Sequence, residues 1–238
     1  MNYLKEISIL KRNFPAQRNN HPFNLPWLDK TETIEINHSV TFFVGENGSG
    51  KSTLLEAIAY QCGFNTAGGS RNNSYHVDAA SSTLGEYIRL SWLPKVTNGF
   101  FFRAESFYHF ASYLEEVGMS PAYGSRSLHK QSHGESFLSL FHNRFRNKGI
   151  YLLDEPEAAL SPARQLAFLG IIRDLVKDCN AQFIIATHSP ILMGFPGAQI
   201  LSFEESISEV AYEQTDHYII TKSFLGNREK FLRDLDCD

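Results

Sequence analysis

Gly45-Glu46-Asn47-Gly48-Ser49-Gly50-Lys51-Ser52 is the stretch on which the reading of this chain turns. It fits the pattern G-x-x-x-x-G-K-[ST], and its flanks fit a strand–loop–helix unit. Ahead of it, Val40-Thr41-Phe42-Phe43-Val44 is an apolar, β-prone run of the kind that a strand covered on both faces needs. Behind it, Thr53-Leu54-Leu55-Glu56-Ala57-Ile58-Ala59-Tyr60-Gln61-Cys62 carries apolar residues at helical spacing. Gly45, Gly48 and Gly50 let the backbone turn tightly, so that its amides converge on an anion. The helix that follows adds unpaired amides and a partial positive charge. In that frame Asn47, Gly48, Ser49, Gly50, Lys51, Ser52 and Thr53 are the expected phosphate-binding residues. Lys51 reaches the β- and γ-phosphates, and the Ser52 hydroxyl is a magnesium ligand. A glycine turn beside a chance lysine is the competing reading, and the flanking strand and helix weigh against it.

The rest of the composition sets bounds. With 238 residues, 42% of them apolar and 20% charged, the chain suits a single α/β domain with at most a modest insertion. Apolar runs fall short of a membrane span, and charges within Met1–Leu10 argue against a signal peptide. Cys62, Cys179 and Cys237 are an odd count at no metal-like spacing, as expected of thiols in a reducing cytoplasm. A net charge of −4 supplies no global attraction for nucleic acid. A local basic patch at His142–Lys148 has the simpler reading of a solvated helix end.

Along the chain, strands are expected at Tyr3–Leu10, Thr33–Ile36, Val40–Val44 and Tyr87–Trp92. The turn signal Thr97-Asn98-Gly99 predicts a hairpin from Tyr87–Trp92 to Phe100-Phe101-Phe102. Lys11–Asp29 reads as a loop whose Phe23 and Trp27 either cover a ligand or cap the sheet. Helices are expected at Phe107–Glu116, from Ser132 with Phe137, Leu138, Phe141 and Phe145 on one face, and after the capping pair Ser161-Pro162. The last of these should bury Leu166, Leu169, Ile172, Leu175 and Val176. Strands at Ala198–Phe203 and Glu209–Tyr212 precede two short helices from Thr215, the second starting near Asn227.

Three apolar strands end in reactive residues: the phosphate loop, Asp154-Glu155 after Ile150-Tyr151-Leu152-Leu153, and Thr187-His188-Ser189 after Phe183-Ile184-Ile185-Ala186. Ligands of open α/β sheets bind at the carboxyl ends of parallel strands, so the three groups should converge. Asp154 is placed to hold magnesium opposite Ser52, Glu155 to orient or deprotonate the attacking water, and His188 to contact the γ-phosphate. Glu155, His188 and Lys51 are therefore the expected catalytic set, and a solvated strand end or a structural histidine is the plainer alternative.

These segments resemble the Walker A, Walker B and switch-histidine motifs of ABC-type ATPases. Ser132-His133-Gly134-Glu135 sits where that family carries its signature L-S-G-G-[QE], and Ala159-Leu160-Ser161 matches its D-loop. The resemblance implies the ABC-ATPase fold: a mostly parallel sheet flanked by helices, an N-terminal antiparallel β subdomain and a small helical subdomain. One domain over residues 1–238 is implied, with 64–147 holding an inserted strand pair and the signature region. It also implies a homodimer that clamps two Mg–ATP, with Ser132, His133, Gly134 and Glu135 acting in trans on the partner's nucleotide. His133 departs from the family's glycine there, and no clear glutamine follows the Phe100–Phe102 strand. Glu105 is the nearest candidate for that role and for a third magnesium ligand, with an ordinary surface acid as the alternative.

Asp154-Glu155-Pro156-Glu157-Ala158-Ala159-Leu160-Ser161-Pro162-Ala163-Arg164-Gln165 is similar to the D-E-P-E-x-x-L-x-P-x-x-Q run of soluble ATPases of the SMC, recombination-repair and overcoming-lysogenization types. Transporter subunits read D-E-P-T-x-x-L-D. About eighty residues between Lys51 and Ser132 are too few for a long coiled-coil arm, and the fifty after His188 too few for an appended nuclease. The expectation is a stand-alone cytoplasmic ATPase head whose closure and opening act on a separate effector in a repair- or phage-defence-linked process. Nucleic acid is a possible ligand that the charge does not itself indicate. A transporter subunit and an ATP-binding switch with little turnover are the alternatives.

Overall fold

The computed structural model describes residues 2–66, 68–69, 83–105, 141 and 148–235. Its centre is a six-stranded sheet. Strands β3 (Val40–Val44), β5 (Gly99–Arg103), β6 (Ile150–Asp154), β7 (Gln182–Ala186), β8 (Gln199–Phe203) and β9 (Ile207–Glu209) lie in the order β5-β6-β7-β3-β8-β9. All neighbours are parallel except β9, which returns antiparallel to β8. A second, three-stranded antiparallel sheet orders β2 (Thr33–Glu35), β1 (Leu4–Ile9) and β4 (Ile88–Trp92).

Every residue of β3, β6, β7 and β8 is buried, as a parallel sheet covered on both faces requires. Alternate residues feed two cores. Phe42, Phe100, Phe102, Tyr151, Leu153 and Ile185 face one, which is closed by the helix Pro162–Cys179 through Phe168 and Ile172. Phe43, Phe101, Leu152 and Ile184 face the other, where they meet Leu54 and Ile58 of the helix Lys51–Cys62. That second core also contains Leu4, Ile7 and Ile88 of the antiparallel sheet. The helix after the phosphate loop is thus packed among residues of both sheets.

Two glutamines fasten the sheets together at the amino ends of β7 and β8. Gln182 Oε1 accepts from the amides of Tyr3 (2.9 Å) and Leu4 (2.8 Å), while its Nε2 donates to the Leu4 carbonyl at 3.0 Å. Gln199 Oε1 accepts from the Asn37 amide at 3.2 Å, and its Nε2 donates to the Glu35 carbonyl at 3.2 Å. Both side chains are buried, so each unmade bond would cost a desolvated polar group. The carboxyl ends of the strands are left for chemistry.

Several sequence expectations need correction. The predicted hairpin does not form: β4 pairs with β1, and β5 pairs with β6, so the two strands flanking the Asn98 turn belong to different sheets. β4 joins the antiparallel sheet and β5 the parallel one, pairings with distant segments that a local turn signal does not specify. The two strands do not pair with each other. The long helix starts at Pro162 with Ser161 at its cap, but the serine side chain makes no capping bond. Its buried face is Gln165, Phe168, Ile172 and Leu175, at spacings of three and four, which turns Leu166 to solvent with 62% of its surface exposed. The late strand is Ile207–Glu209, and Tyr212–Gln214 forms a single 3-10 turn. Lys11–Asp29 is not all loop, since Pro26–Lys30 is a short helix. The two C-terminal helices run Asp216–Gly226 and Arg228–Leu235, as expected. The expected helices at Phe107–Glu116 and from Ser132 lie outside the described residues apart from Phe141, which is helical and buried in the first core.

Candidate functional site: a nucleotide-binding centre

The phosphate loop leaves β3 at Val44 and enters its helix at Lys51. Two of its glycines are sterically required. Gly50 caps the helix at φ +94°, and a Cβ there would lie 2.8 Å from Leu25 and 2.9 Å from the Trp27 indole nitrogen. Gly45, at φ +142°, would place a Cβ 2.6 Å from the Phe203 carbonyl. Trp27 is wholly buried beneath the loop, and its Nε1–H donates to the Ser49 carbonyl at 2.8 Å. It therefore shapes the loop from below, settling its two expected roles in favour of structure. His21, in the same N-terminal segment, has its Nε2 3.1 Å from the Thr53 hydroxyl. Phe14, Phe23 and Tyr87 stack edge to face, with centroids 5.1–5.6 Å apart, and anchor that segment.

Lys51 is only 4% exposed, and its ammonium donates to the Gly45 carbonyl at 2.8 Å and the Glu46 carbonyl at 2.9 Å. Burial holds its pKa below the usual lysine value, against the pull of Glu155, Asp154, Glu46 and Glu157. No acid stands at ion-pair distance from it among the described residues. A third, longer contact joins the ammonium to the Ser49 hydroxyl at 3.5 Å. A buried cation held by neutral dipoles has the chemistry of a site made for an anion.

The expected convergence is present at the strand ends. Ser52 Oγ donates to Asp154 Oδ1 at 2.8 Å. Asp154 is 6% exposed, and burial pushes its pKa up to about 6 although Ser52 and Arg103 favour the charged form. Arg103, at the end of β5, ion-pairs with Glu56 at 2.7 Å and lies 3.5 Å from Asp154 Oδ2. Glu105 is displaced outward: its carboxylate is 86% exposed and stands 3.6 Å from Arg103. Arg103 was not singled out by sequence, because a lone arginine at a strand end carries no pattern.

Glu155 follows Asp154 at φ 50°, in the left-handed region, with its amide bonded to the Ala186 carbonyl at 3.0 Å. A non-glycine residue there is uncommon and is held by its surroundings. Glu155 Oε1 is 3.7 Å from His188 Nε2. The His188 amide donates to Glu157 Oε1 at 2.6 Å, and its Nδ1 is 2.9 Å from Nε2 of His217, a residue with no sequence signature. His188 Nε2 is itself buried without a hydrogen-bond partner. Burial, Lys51 and His217 hold the His188 pKa below the ordinary histidine value. Gln165 Oε1 accepts from the Ser189 hydroxyl at 2.5 Å, and the Ser189 Oγ accepts from the Leu192 amide. Glu157 and Gln165 of the D-E-P-E run thus fix the segment that carries the histidine.

Beside the loop a cavity of about 370 Å³ opens between Gly45–Ser49 and Gln214–His217. The residues present suit a nucleotide triphosphate with magnesium. The buried Lys51 ammonium and the orphaned His188 imidazole nitrogen would suit anionic oxygens, while the Ser52 hydroxyl and Asp154 carboxylate are the hard oxygen donors magnesium prefers. Among the described residues no group of three or more His, Cys, Asp or Glu could hold a metal ion. Ser132, His133, Gly134 and Glu135 lie outside the described residues. No described helix is long and apolar enough to cross a membrane.

Comparison with known proteins agrees with this geometry. Residues 19–108 match the family model "AAA domain", and residues 137–194 match "AAA domain, putative AbiEii toxin, Type IV TA system". The first contains the phosphate loop, and the second contains Asp154, Glu155 and His188. A curated relative, the DNA replication and repair protein RecF of Glaesserella parasuis serovar 5 (strain SH0165), is 63% identical over 27 residues. That stretch is 11% of this chain and only 8% of the relative's length. Among solved structures, cbiO1 from Clostridium perfringens, part of the ABC transporter complex cbiONQ, superposes with a TM-score of 0.57 at 17% identity, covering 99% of each chain. An SmcHead bound to the C-winged helix domain of ScpA gives a TM-score of 0.53 at 13% identity, covering 90% of this chain and 99% of that one. Phosphate loop, acidic strand end and histidine converge on one sheet edge, in a chain that has the fold of the ABC-type ATPases and two segments matching AAA-domain models.

Proposed function

We propose that the chain hydrolyses Mg–ATP in a composite site completed by a second copy of itself. The observation that carries this reading is the 2.8 Å contact between Ser52 and Asp154, which brings the end of β6, and with it Glu155, beside the phosphate loop. Asn47–Thr53 bind the phosphates, Lys51 contacts the β- and γ-phosphates, and Ser52 and Asp154 would hold magnesium. Glu105 lies on the far side of Arg103 and would join that shell only through water. Bound magnesium would neutralise phosphate charge. Glu155 takes a proton from the attacking water as its oxygen bonds to the γ-phosphorus, and the bond to the bridging oxygen breaks to release ADP. Lys51 and His188 stabilise the charge that develops on the transferring group.

The trans half of the site is Ser132, His133, Gly134 and Glu135 of the second copy. Two measurements test it. Glu155→Gln should retain ATP, lose at least about a hundredfold in turnover and accumulate dimers on size exclusion. Lys51→Ala and Ser132→Arg should each be inactive, and mixing the two should restore activity, because a heterodimer keeps one intact composite site. A Glu155→Gln protein that stays monomeric with ATP, together with no recovery on mixing, rejects the homodimer.

The output is read as a closing and opening motion acting on a separate effector in a nucleic-acid-linked process, repair or phage defence. The D-E-P-E run supports it, as do the RecF stretch and the name of the second family model. The second reading is a transporter's nucleotide-binding subunit, supported by the near full-length superposition on cbiO1. ATPase stimulation by DNA that weakens with salt would favour the first, and a co-purifying membrane partner the second.

A further inference from the structure

We infer that His217 is a positioning residue for His188, fixing the tautomer in which His188 turns an N–H rather than a lone pair toward the γ-phosphate site. The inference rests on the hydrolytic reading above and deepens it. The two rings stand with centroids 5.0 Å apart and an interplanar angle of 56°, and Nδ1 of His188 is 2.9 Å from Nε2 of His217. At that distance one hydrogen lies between the nitrogens, so one ring donates and the other accepts.

Two neutral arrangements satisfy the pair. If His188 donated from Nδ1, its Nε2 would be a bare lone pair, buried and 3.7 Å from the Glu155 carboxylate oxygen. Two acceptors would then face each other beside an incoming triphosphate. If His217 donates from Nε2, His188 carries its proton on Nε2, directed at the carboxylate and at any phosphate oxygen nearby. Electrostatics selects the second arrangement. Burial lowers the pKa of both rings, consistent with a neutral pair.

The surrounding contacts hold this geometry. Thr215 caps the helix that carries His217, accepting from the Tyr218 amide at 3.4 Å and donating to the Tyr212 carbonyl at 2.8 Å. The Tyr212 hydroxyl donates to the Pro190 carbonyl at 2.9 Å, tying that helix start to the segment just after His188. Glu157 holds the His188 amide. The histidine is thus fixed at its backbone and at Nδ1, and only Nε2 is left for the reaction. His217 also lines the cavity beside the phosphate loop.

The test is the tautomer itself. Long-range proton–nitrogen spectra of the nucleotide-free protein, labelled with nitrogen-15 in histidine and assigned with His188→Gln and His217→Gln, should show both rings protonated at Nε2. An Nδ1-protonated His188 overturns the inference. In turnover, His217→Phe should lower kcat about tenfold or more while the ATP Kd stays within about twofold, and His217→Gln, whose amide can donate to Nδ1, should recover most of the loss. Equal losses in the two variants, or none in His217→Phe, would also overturn it. A wild-type protein without ATPase activity would reject the hydrolytic reading, whereas the tautomer spectrum still decides the role of His217.

Discussion

Ser52 and Asp154, 102 residues apart in sequence, share a 2.8 Å hydrogen bond in which the hydroxyl donates and the carboxylate accepts. The bond closes the gap between the phosphate loop and β6. It also leaves a carboxylate almost without solvent, with its pKa pushed up to about 6 by burial.

That shift has a sign. The folded protein binds the Asp154 proton more tightly than the unfolded chain, whose value is near 3.8. The fold therefore loses stability as pH rises from about 4 to about 6, and the loss is complete above that window. Asp154→Asn should raise the melting temperature of the nucleotide-free protein at pH 7.5 by the equivalent of about 1–3 kcal/mol, with the gain shrinking as pH falls toward 4. The same variant should lose the stabilisation that Mg–ATP gives the wild type. A variant no more stable than wild type at pH 7.5 would show that the carboxylate is well solvated.

The Lys51 ammonium donates to the carbonyls of Gly45 and Glu46 and touches the Ser49 hydroxyl. Lys51→Ala removes the charge and its bonds to phosphate, so ATP affinity measured by calorimetry should fall about tenfold to a hundredfold or more. Binding as tight as in the wild type would refute the loop assignment.

Glu157 Oε1 accepts from the His188 amide at 2.6 Å, holding the segment that carries the histidine. Glu157→Ala should reduce kcat about tenfold with little change in ATP affinity, because it releases the segment and not the nucleotide. Glu157→Gln keeps an acceptor oxygen and should lose much less. Equal effects of the two substitutions on kcat would assign Glu157 a role that depends on its charge.

Gln182 sits at the amino end of β7, away from the chemistry, and makes three bonds to the Tyr3–Leu4 backbone. Gln182→Leu leaves those groups buried and unpaired, at a cost of about 2–4 kcal/mol in denaturant unfolding. ATP affinity of the folded fraction should be unchanged. A loss under about 0.5 kcal/mol would mean that water replaces the amide.

Much of the centre was legible in sequence because its parts are local. Strand, loop and helix are contiguous at Val40–Cys62, and Asp154, Glu155 and His188 each end a buried apolar run. What escaped was fixed by packing between distant segments. The Asn98 turn signal is real as local backbone chemistry, but β4 and β5 are drawn to different sheets by partners far along the chain. For Trp27 the sequence leaves covering a ligand and capping the sheet both open, and only the contact with the Ser49 carbonyl chooses between them. Gln182, Arg103 and His217 belong to residue types common at any surface, and only the third dimension sets them against the N-terminal strand, Asp154 and His188.

Trp27 also makes the molecule report on itself. One of two tryptophans in the chain, it is buried with its indole N–H fastened to the carbonyl of Ser49, inside the segment that must adapt when a triphosphate arrives. Its emission should change with the strain on that one bond, so in a Trp92→Phe background the occupancy of the cradle can be followed by light, without a label and in real time.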